Sequence, residues 1–286
     1  MKKIKRIIVG VDIFAKSSNV LRRAFVVAKE NGAELFIVNT VQTPWLSIPS
    51  YFSKKKITID TKGIKKKIRK KINALNIDNK VAYSIFVREG DADDVLLYKS
   101  KLFRADMIII GANTKSKNNI LGTTAEKVAN KSHLPVLIVK NSVKAPYKTV
   151  AAPTDFQSQS KQSVIFAKDI FPSIKIKAIY SSETIYTDGQ YTVVGDDFVH
   201  YNEAAKACTE KDLTTFMKDL SIPKGKIIDG SHDSKQTLVK YINKGSYDLV
   251  VIGSRGTSGF KALIGSVASY VIRKVSADVL LHVPVD

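Results

Sequence analysis

The sequence contains one cysteine, Cys208, and no apolar run that approaches 18 residues. A single cysteine excludes a disulfide within the chain and fits a reducing compartment. Without a long apolar run the chain has no predicted membrane-spanning helix, since such a helix needs about 20 apolar residues. The apolar run behind the N-terminal lysines stops at Asp12, which is too short for a signal peptide. We therefore expect a cytoplasmic protein.

Acidic residues are also scarce, because 26 Asp and Glu stand against 46 Lys and Arg and leave a net charge of +20. Such an excess favours contact with polyanions, either nucleic acid or anionic lipid. Within and just after the basic run Lys62–Lys71, an apolar stripe recurs at helical spacing: Ile64, Ile68, Ile72 and Leu75. A solvated helix face explains the run without a partner, and no aromatic residues interleave with the lysines as single-strand stacking requires. The sequence leaves both interpretations open.

Sequence motifs for catalysis and metal binding are equally rare. The chain has neither a Gly-x-x-x-x-Gly-Lys-Ser/Thr loop nor a Gly-x-Gly-x-x-Gly fingerprint. Ser231, His232 and Asp233 are adjacent, but consecutive side chains point apart, so we interpret them as a helix-capping turn rather than a catalytic triad. The four histidines lie in different predicted elements without paired ligand spacing. We expect no catalytic residues and no metal site, and any ATP hydrolysis would be slow and incidental.

A glycine-containing stretch near the C-terminus is the most informative part of the chain. Leu249–Ile252 is a short apolar run that ends at Gly253, which predicts a buried strand and then a turn with positive φ at this glycine. Beyond the loop, Gly265 and Ser266 open an apolar pattern of helical spacing, with Ser266 at the expected N-cap. A strand, a glycine loop and a helix N-terminus in this order place free N–H groups and the positive end of the helix dipole close together. The stretch therefore predicts an anion site, and phosphate is the usual anion.

The chain repeats itself at a step of half its 286 residues. Asp12, at the end of the first predicted strand, recurs as Asp155 after 143 residues, and Gly122 recurs as Gly265 at the same step. Repetition at a fixed step indicates a tandem duplication. The predicted domains are residues 1–141 and 147–286.

These features occur in the same order in both halves and resemble two fused universal stress protein domains. The resemblance implies an α/β fold with two open, doubly wound parallel five-stranded sheets, Rossmann-like, each of strand order 3-2-1-4-5. In that order strands 1 and 4 are neighbours, and their carboxyl ends flank the crevice in which open α/β sheets bind ligands. It also implies that the last strands, Pro135–Lys140 and Val279–Pro284, pair with each other and make the chain a pseudo-dimer. Further homodimerisation stays open.

In nucleotide-binding universal stress proteins, the ends of strands 1 and 2 line the base pocket and the glycine loop holds ribose and phosphates. The matching residues in the second half are Asp155 and Ser181 at the base end, and Ile252, Gly253, Gly256, Gly265, Ser266 and Val267 at the sugar and phosphate end. Arg255 adds a cation for charge-assisted contacts to phosphate. The implied cofactor is ATP or ADP, with magnesium as its companion. Eight residues separate Gly256 from Gly265, one fewer than in the family's ATP-binding pattern.

The matching positions of the first half are weaker candidates: Asp12, Thr40, Gly111, Gly122 and Thr123. Thr114 stands where the family has its second glycine, and seven residues separate it from Gly122. A Cβ at a position that needs positive φ is disfavoured. The favoured interpretation of these residues is that they form turns kept for folding.

The resemblance implies a tandem universal stress protein, a stress-response sensor or scaffold that binds an adenine nucleotide mainly in the second half. The shortened loops and the +20 charge support an alternative, in which nucleotide binding is lost and the basic surface contacts protein, nucleic acid or lipid. A third hypothesis, a slow ATPase, rests on fold analogy alone.

Overall fold

The computed structural model describes residues 4–13, 17–41, 59–75, 80–112, 121–143, 145–182, 197–230, 233–254 and 264–283. The chain divides into two compact units. The first consists mainly of Met1–Pro146, and the second mainly of Tyr147–Ser258 and Leu263–Pro284. Each unit contributes five parallel strands with helices packed against them.

The first unit alternates strands and helices, as the sequence predicts. Its elements are β1 (Arg6–Gly10), α1 (Ser18–Asn31), β2 (Glu34–Val41), α2 (Thr61–Ala74), β3 (Tyr83–Glu89), α3 (Ala92–Leu102), β4 (Met107–Gly111), α4 (Thr123–Lys131) and β5 (Val136–Val139). The strands lie parallel in the order β3-β2-β1-β4-β5. Helices α1 and α2 pack together on one face of this sheet, and α3 and α4 pack together on the other.

The second unit repeats the arrangement. Its elements are β6 (Thr149–Pro153), α5 (Ser158–Ile170), β7 (Lys175–Ser182), α6 (Asp197–Asp219), β8 (Lys224–Asp229), α7 (Ser234–Lys244), β9 (Leu249–Gly253), α8 (Ser266–Lys274) and β10 (Asp278–His282). Its strands lie parallel in the order β8-β7-β6-β9-β10. The predicted order 3-2-1-4-5 is therefore confirmed in each unit. Pairing of the last strands with each other stays a prediction.

The central strands are apolar along their length because helices cover them from both sides. Met107–Ile110 in β4 and Leu249–Ile252 in β9 are buried throughout. A fully buried aliphatic side chain contributes about 1.5–3 kcal/mol through removal from water, so these strands form the most stable part of each unit. They are rigid supports for the residues that follow their carboxyl ends.

The helices begin and end at residues with identifiable caps. Gly32 ends α1 with φ at 64°, a left-handed conformation that favours glycine because a Cβ is disfavoured there. Asp60 begins α2, and its carboxylate accepts a hydrogen bond from the Gly63 N–H at 2.8 Å. In the part of the chain that the structure describes, no helix combines the length and the apolar character that crossing a bilayer demands.

An aspartate before the fourth strand of each unit fixes the register of the two central strands. Asp106 Oδ2 accepts hydrogen bonds from two N–H groups at the start of β1, at 2.8 and 3.0 Å. Asp248 Oδ2 accepts equivalent bonds from Lys148 and Thr149, at 3.0 and 2.9 Å, and a third from the Thr149 hydroxyl at 3.0 Å. These bonds hold the amino ends of the paired strands together. Separation of the pair is therefore easiest at the carboxyl ends.

Replacement of Asp248, whose carboxylate clamps the amino ends of β6 and β9, should lower the stability of the second unit measurably. Asp248→Ala removes three hydrogen bonds, and we expect the free energy of unfolding to fall by about 1 kcal/mol, because water replaces part of these exposed bonds. Urea unfolding followed by circular dichroism measures the change. Asp212→Ala, at an exposed position of α6, is the control and should leave the midpoint in place. Equal midpoints for the two variants would contradict the clamp.

Candidate functional site

The hydrogen-bonded ladder between the two central strands of the second unit stops before their carboxyl ends. β6 extends to Pro153 and β9 to Gly253, but the ladder between them ends at Ala151 and Val250. In the first unit, the ladder between β1 and β4 runs to the last residue of β1, Gly10. The carboxyl ends of these strands flank the expected ligand crevice, and the ladder stops two residues earlier there in the second unit than in the first.

Pro153 explains why this ladder stops early. Alternate residues of β6 face β9, as the bond from Asp248 N–H to Thr149 O at 2.9 Å shows, whereas Thr154 N–H donates to Ile179 O of β7 at 3.0 Å. Pro153 lies an even number of positions from Thr149, so its backbone faces β9. It has no N–H to donate, and the next ladder bond is lost.

Asp155 lies directly after β6 at the mouth of this crevice and is exposed. Its Oδ1 accepts a hydrogen bond from the Gln157 N–H at 3.1 Å, which orients the carboxylate ahead of α5. The next residue, Phe156, has φ at 63°, and its ring stacks on Tyr180 of β7 with 4.7 Å between centroids. A carboxylate acceptor and an aromatic wall therefore lie side by side.

Ser181 holds the start of α7 against the end of β7, because its hydroxyl donates to Ser234 O at 3.1 Å. Gly230 permits this approach, since a Cβ there would lie 2.9 Å from the Ser234 Cα and would also clash with the Ser181 hydroxyl. Asp233 caps α7, because its Oδ1 accepts hydrogen bonds from the N–H groups of Gln236 and Lys235, both at 3.0 Å. These bonds hold the pKa of the Asp233 carboxyl below its ordinary value. The predicted capping turn is confirmed at Asp233, and the two residues before it lie outside the described residues. A ligand contact of Ser181 stays a prediction.

Gly253 serves close packing. A Cβ at this position would lie 2.9 Å from Gln159 O, so its absence lets the first turn of α5 approach the end of β9. The expected positive φ is wrong for Gly253, because β9 stays extended through it; among the described glycines, positive φ occurs at Gly32 and Gly90. The preceding Ile252 is buried in β9, and its contact with a ligand stays a prediction.

The N-terminus of α8 lies at the same sheet edge, because α8 connects β9 to the parallel β10. Gly265 is the N-cap, so the prediction of Ser266 at this position is wrong by one residue. Ser266 is the first helical residue and is exposed, and Val267 follows it. The N–H groups of this turn have no acceptors within the helix. Arg255 and Gly256 lie outside the described residues.

Ser254 lies at the same carboxyl edge of the sheet, and sequence reasoning missed it. It follows β9, is 1% exposed, and donates its N–H to His282 O at 2.9 Å. Its hydroxyl oxygen has no hydrogen-bond partner in the described part of the chain, whereas buried hydroxyls are normally paired. Since Gly253 faces α5, strand alternation directs Ser254 to the α8 side. A comparison of the halves could have found it, because the equivalent residue of the first unit is Ala112.

The first-unit candidates occupy the same topological positions in a different setting. Two of them, Asp12 and Thr123, are exposed. The other three are partly buried: Thr40, Gly111 and Gly122. Gly122 is the N-cap of α4, and its N–H donates to Ala112 O at 2.7 Å. Glu126 occupies the first turn of α4, where α8 has Ser269. A carboxylate there offsets the helix dipole that would otherwise favour phosphate.

His282 lies in β10, next to the end of β9, and is 7% exposed. Its ring lies 5.0 Å from the Phe166 ring, and its Nδ1 has no hydrogen-bond partner among the described residues. Burial lowers the pKa of His282 from 6.5 to about 4. The imidazole is therefore neutral near pH 7, and the equivalent residue of the first unit is Val139.

Other side-chain clusters in the described ranges lie away from the crevice. A shallow pocket of 210 Å³ opens at the amino ends of β4 and β5, on the opposite sheet edge. Its polar lining includes Lys101, Arg104, Lys131 and His133. Among the described residues, no group of three His, Cys, Asp or Glu side chains is placed to hold a metal ion. The candidate site is therefore the carboxyl-end crevice.

Comparison with known proteins matches the universal stress protein family twice, over residues 3–140 and 146–283. The chain belongs to the universal stress protein family. The two matches together span nearly the whole chain, so the tandem organisation predicted from the internal repeat is confirmed.

Individual universal stress proteins resemble one half or the whole of this chain. A universal stress protein of Methanocaldococcus jannaschii is 28% identical over 144 residues, which are 49% of this chain and 84% of the relative. A Pseudomonas aeruginosa structure of unknown function matches at 17% identity and a TM-score of 0.73, covering 98% of this chain and 92% of its own. A universal stress protein structure from Archaeoglobus fulgidus matches at 18% identity and a TM-score of 0.64, covering 97% of both chains. These likenesses show a shared fold.

Some matched universal stress proteins carry a nucleotide. One was solved in complex with cAMP, and one from Archaeoglobus fulgidus in complex with dAMP. They cover 48% and 49% of this chain, at TM-scores of 0.34 and 0.37.

The buried histidine of this universal stress protein predicts acid sensitivity. Above pH 6.5 His282 is neutral in both states, but as the pH falls toward 4 the unfolded chain takes up a proton that the folded chain does not. Stability should therefore fall in this window, by on the order of 3 kcal/mol from this residue. His282→Val, which installs the first-unit residue, should reduce the loss, as measured by urea midpoints near pH 7 and pH 4.5.

The control for this experiment is His133→Gln, because His133 is exposed. It should keep the acid sensitivity of the wild type. If His282→Val shows the same loss as the wild type, the buried imidazole is not its source.

Proposed function

We propose that this universal stress protein binds an adenine nucleotide, ATP or ADP, in the crevice of its second unit and acts as a cytoplasmic stress-response sensor or scaffold. The observation that carries the proposal is the N-terminus of α8, which lies at the sheet edge beyond the end of the β6–β9 ladder. Open α/β sheets bind ligands at this edge, next to the strands at which their order reverses. Magnesium accompanies the nucleotide in this proposal.

Backbone donors support the phosphate end. Gly265 has no side chain that competes for the N–H groups of the first turn of α8. That turn holds no acidic residue, and the cations Arg273 and Lys274 lie in the last turn, so the positive end of the dipole is not offset within the helix. Phosphate at this point gains hydrogen bonds and dipole attraction together. The residues proposed for the sugar and phosphate end are Gly253, Arg255, Gly256, Gly265, Ser266 and Val267.

Asp155 suits recognition of the base. Its exposed carboxylate is an acceptor, and adenine presents an exocyclic amino group as a donor. The stacked rings of Phe156 and Tyr180 supply an apolar wall beside it. In this proposal Ser181 and Ile252 complete the pocket for the base and ribose.

Ser254 supplies a further donor between the two ends. An unpaired buried hydroxyl is unfavourable by about 1–3 kcal/mol, and a polar ligand that bonds it removes this penalty. Its place directly after β9, on the α8 side, fits a contact to ribose or phosphate.

Three differences favour the second unit over the first. The β1–β4 ladder continues to Gly10, so the first unit keeps the bonds between its central strands that the second unit lacks at this edge. Ala112 offers no hydroxyl where Ser254 stands, and Glu126 places a carboxylate in the first turn of α4. A phosphate in the first unit would meet like charge at the helix that should attract it.

A carboxylate at position 269 of α8, equivalent to Glu126 of α4, tests whether phosphate binds at the N-terminus of α8. Ser269→Glu should weaken ATP and ADP binding by about tenfold, because the new charge repels phosphate and offsets the dipole. Adenosine has no phosphate, so its affinity should change little. Isothermal titration of the full chain with ATP, ADP and adenosine measures all three affinities.

The matched control is Glu126→Ser in the first unit, which should leave the ATP affinity unchanged. Absence of heat from the wild type at millimolar ATP would remove the nucleotide proposal. Equal losses for ATP and adenosine in Ser269→Glu would show that the phosphates lie elsewhere.

Ser254→Ala separates a ligand role from a structural one. The unliganded variant should melt at the wild-type temperature or slightly above it, because it loses a buried hydroxyl that has no partner among the described residues. ATP affinity should fall by roughly fivefold to tenfold. Thermal melts with and without ATP measure both effects, and Ser173→Ala, at an exposed position, is the control. A destabilised variant with unchanged ATP affinity would assign Ser254 to the fold instead.

A further inference from the structure

We propose that an exposed face of α2 binds the phosphate backbone of double-stranded nucleic acid. This activity is separate from the nucleotide crevice, since α2 belongs to the first unit. The proposal rests on the charge, the arrangement and the fixed position of the helix.

Helix α2 contains seven Lys or Arg and no Asp or Glu among its 14 residues. Five of these cations are exposed, Lys67 among them. The other four follow one side of the helix, and we call them the α2 basic face: Lys62, Lys66, Arg69 and Lys70. They lie opposite the buried Ile68 and Ile72. At about 1.5 Å of rise per residue, the face extends for about 12 Å along the helix axis.

This charge does not help the helix to form. Like charges three or four residues apart destabilise a helix by about 0.2–0.5 kcal/mol per pair, and Lys62 lies at the positive end of the dipole. A partner with dense negative charge would reverse the sign of these interactions.

The duplicate helix shows that the fold does not require the basic face. α6 occupies the equivalent position between the second and third strands of its unit, and packs against β7 and β8. Over residues 203–219 it has four acidic residues and three lysines. The same architectural position is therefore compatible with mixed charge, so the concentration of cations on α2 needs a cause outside packing.

Packing against the rest of the first unit fixes the position of α2, and therefore the positions from which its cations project. Ile68 and Ile72 are 1% and 4% exposed, and α2 packs against α1 and β3. Lys71, outside the basic face, donates from Nζ to Ile13 O at 2.8 Å and to Ser17 Oγ at 3.2 Å. A surface ordered before binding loses less conformational entropy when it binds.

The same packing selects the class of polyanion. A helix that lies in a membrane surface must insert an apolar face, and the apolar face of α2 is already buried against its own unit. Single-stranded nucleic acid is held by aromatic stacking, and α2 contains no aromatic residue. A duplex backbone needs only cations that displace its counterions, which the α2 basic face provides.

The test compares two triple variants of the full chain that lose the same charge. K62Q/K66Q/K70Q removes three lysines from α2, and K206Q/K211Q/K218Q removes three exposed lysines from α6. Fluorescence anisotropy with a labelled DNA duplex, repeated over a salt series, gives the slope of log affinity against log salt. The α2 variant should lower the magnitude of this slope by about 2.7 and weaken binding by roughly tenfold or more at low salt. The α6 variant should keep most of the wild-type affinity.

Three results would overturn the proposal. These are equal slopes for the wild type and the α2 variant, equal losses in the two variants, and tighter binding of a single strand of the same length than of the duplex. Vesicles of phosphatidylcholine and phosphatidylserine serve as the lipid probe, and loss of vesicle binding with duplex binding intact would assign the face to membranes. Thermal melts of both variants check folding, and the α2 variant should melt no lower than the wild type.

Discussion

The register of two neighbouring parallel strands is the constraint on which each unit depends. Asp106 and Asp248 fasten the amino ends of these strand pairs with hydrogen bonds from their carboxylates. The carboxyl ends have no such fastening, and in the second unit Pro153 also removes one backbone donor from the ladder there. A single residue without an N–H therefore shortens the central ladder in one unit and not in the other.

Duplication allowed the two units to diverge while the architecture stayed fixed. A cation–π contact illustrates this, because Lys99 of α3 lies over Phe86 of β3 at 5.6 Å, whereas Lys177 of β7 lies over Tyr241 of α7 at 5.2 Å. The cation lies on the helix in the first unit and on the strand in the second, and the strands differ, since β3 is the third strand of its unit and β7 the second. The crevice, the first turn of the following helix and the charge of α2 differ between the units in the same way.

Much of the fold could be predicted from the sequence, and the errors have local physical causes. Apolar runs and glycine punctuation located the strands, and the family resemblance supplied their order. The N-cap of α8 was misplaced by one residue because a glycine in extended conformation and a serine both fit that position. Positive φ at Gly253 was wrong because its role is set by Gln159, far away in the sequence. Ser254 could not be found from its own neighbourhood, since burial and the lack of a partner depend on β10.

Hydrogen exchange of the full chain, followed by mass spectrometry with and without saturating ATP, tests most directly whether the second unit alone forms a nucleotide crevice. Bound nucleotide should slow exchange in peptides from residues 150–157 and 249–270, because the carboxyl ends of β6 and β9 and the N-terminus of α8 would contact it. Peptides from residues 7–12 and 107–126 should exchange at the same rate with and without ATP. Slower exchange in these first-unit peptides, with no change at 150–157 and 249–270, would contradict the account.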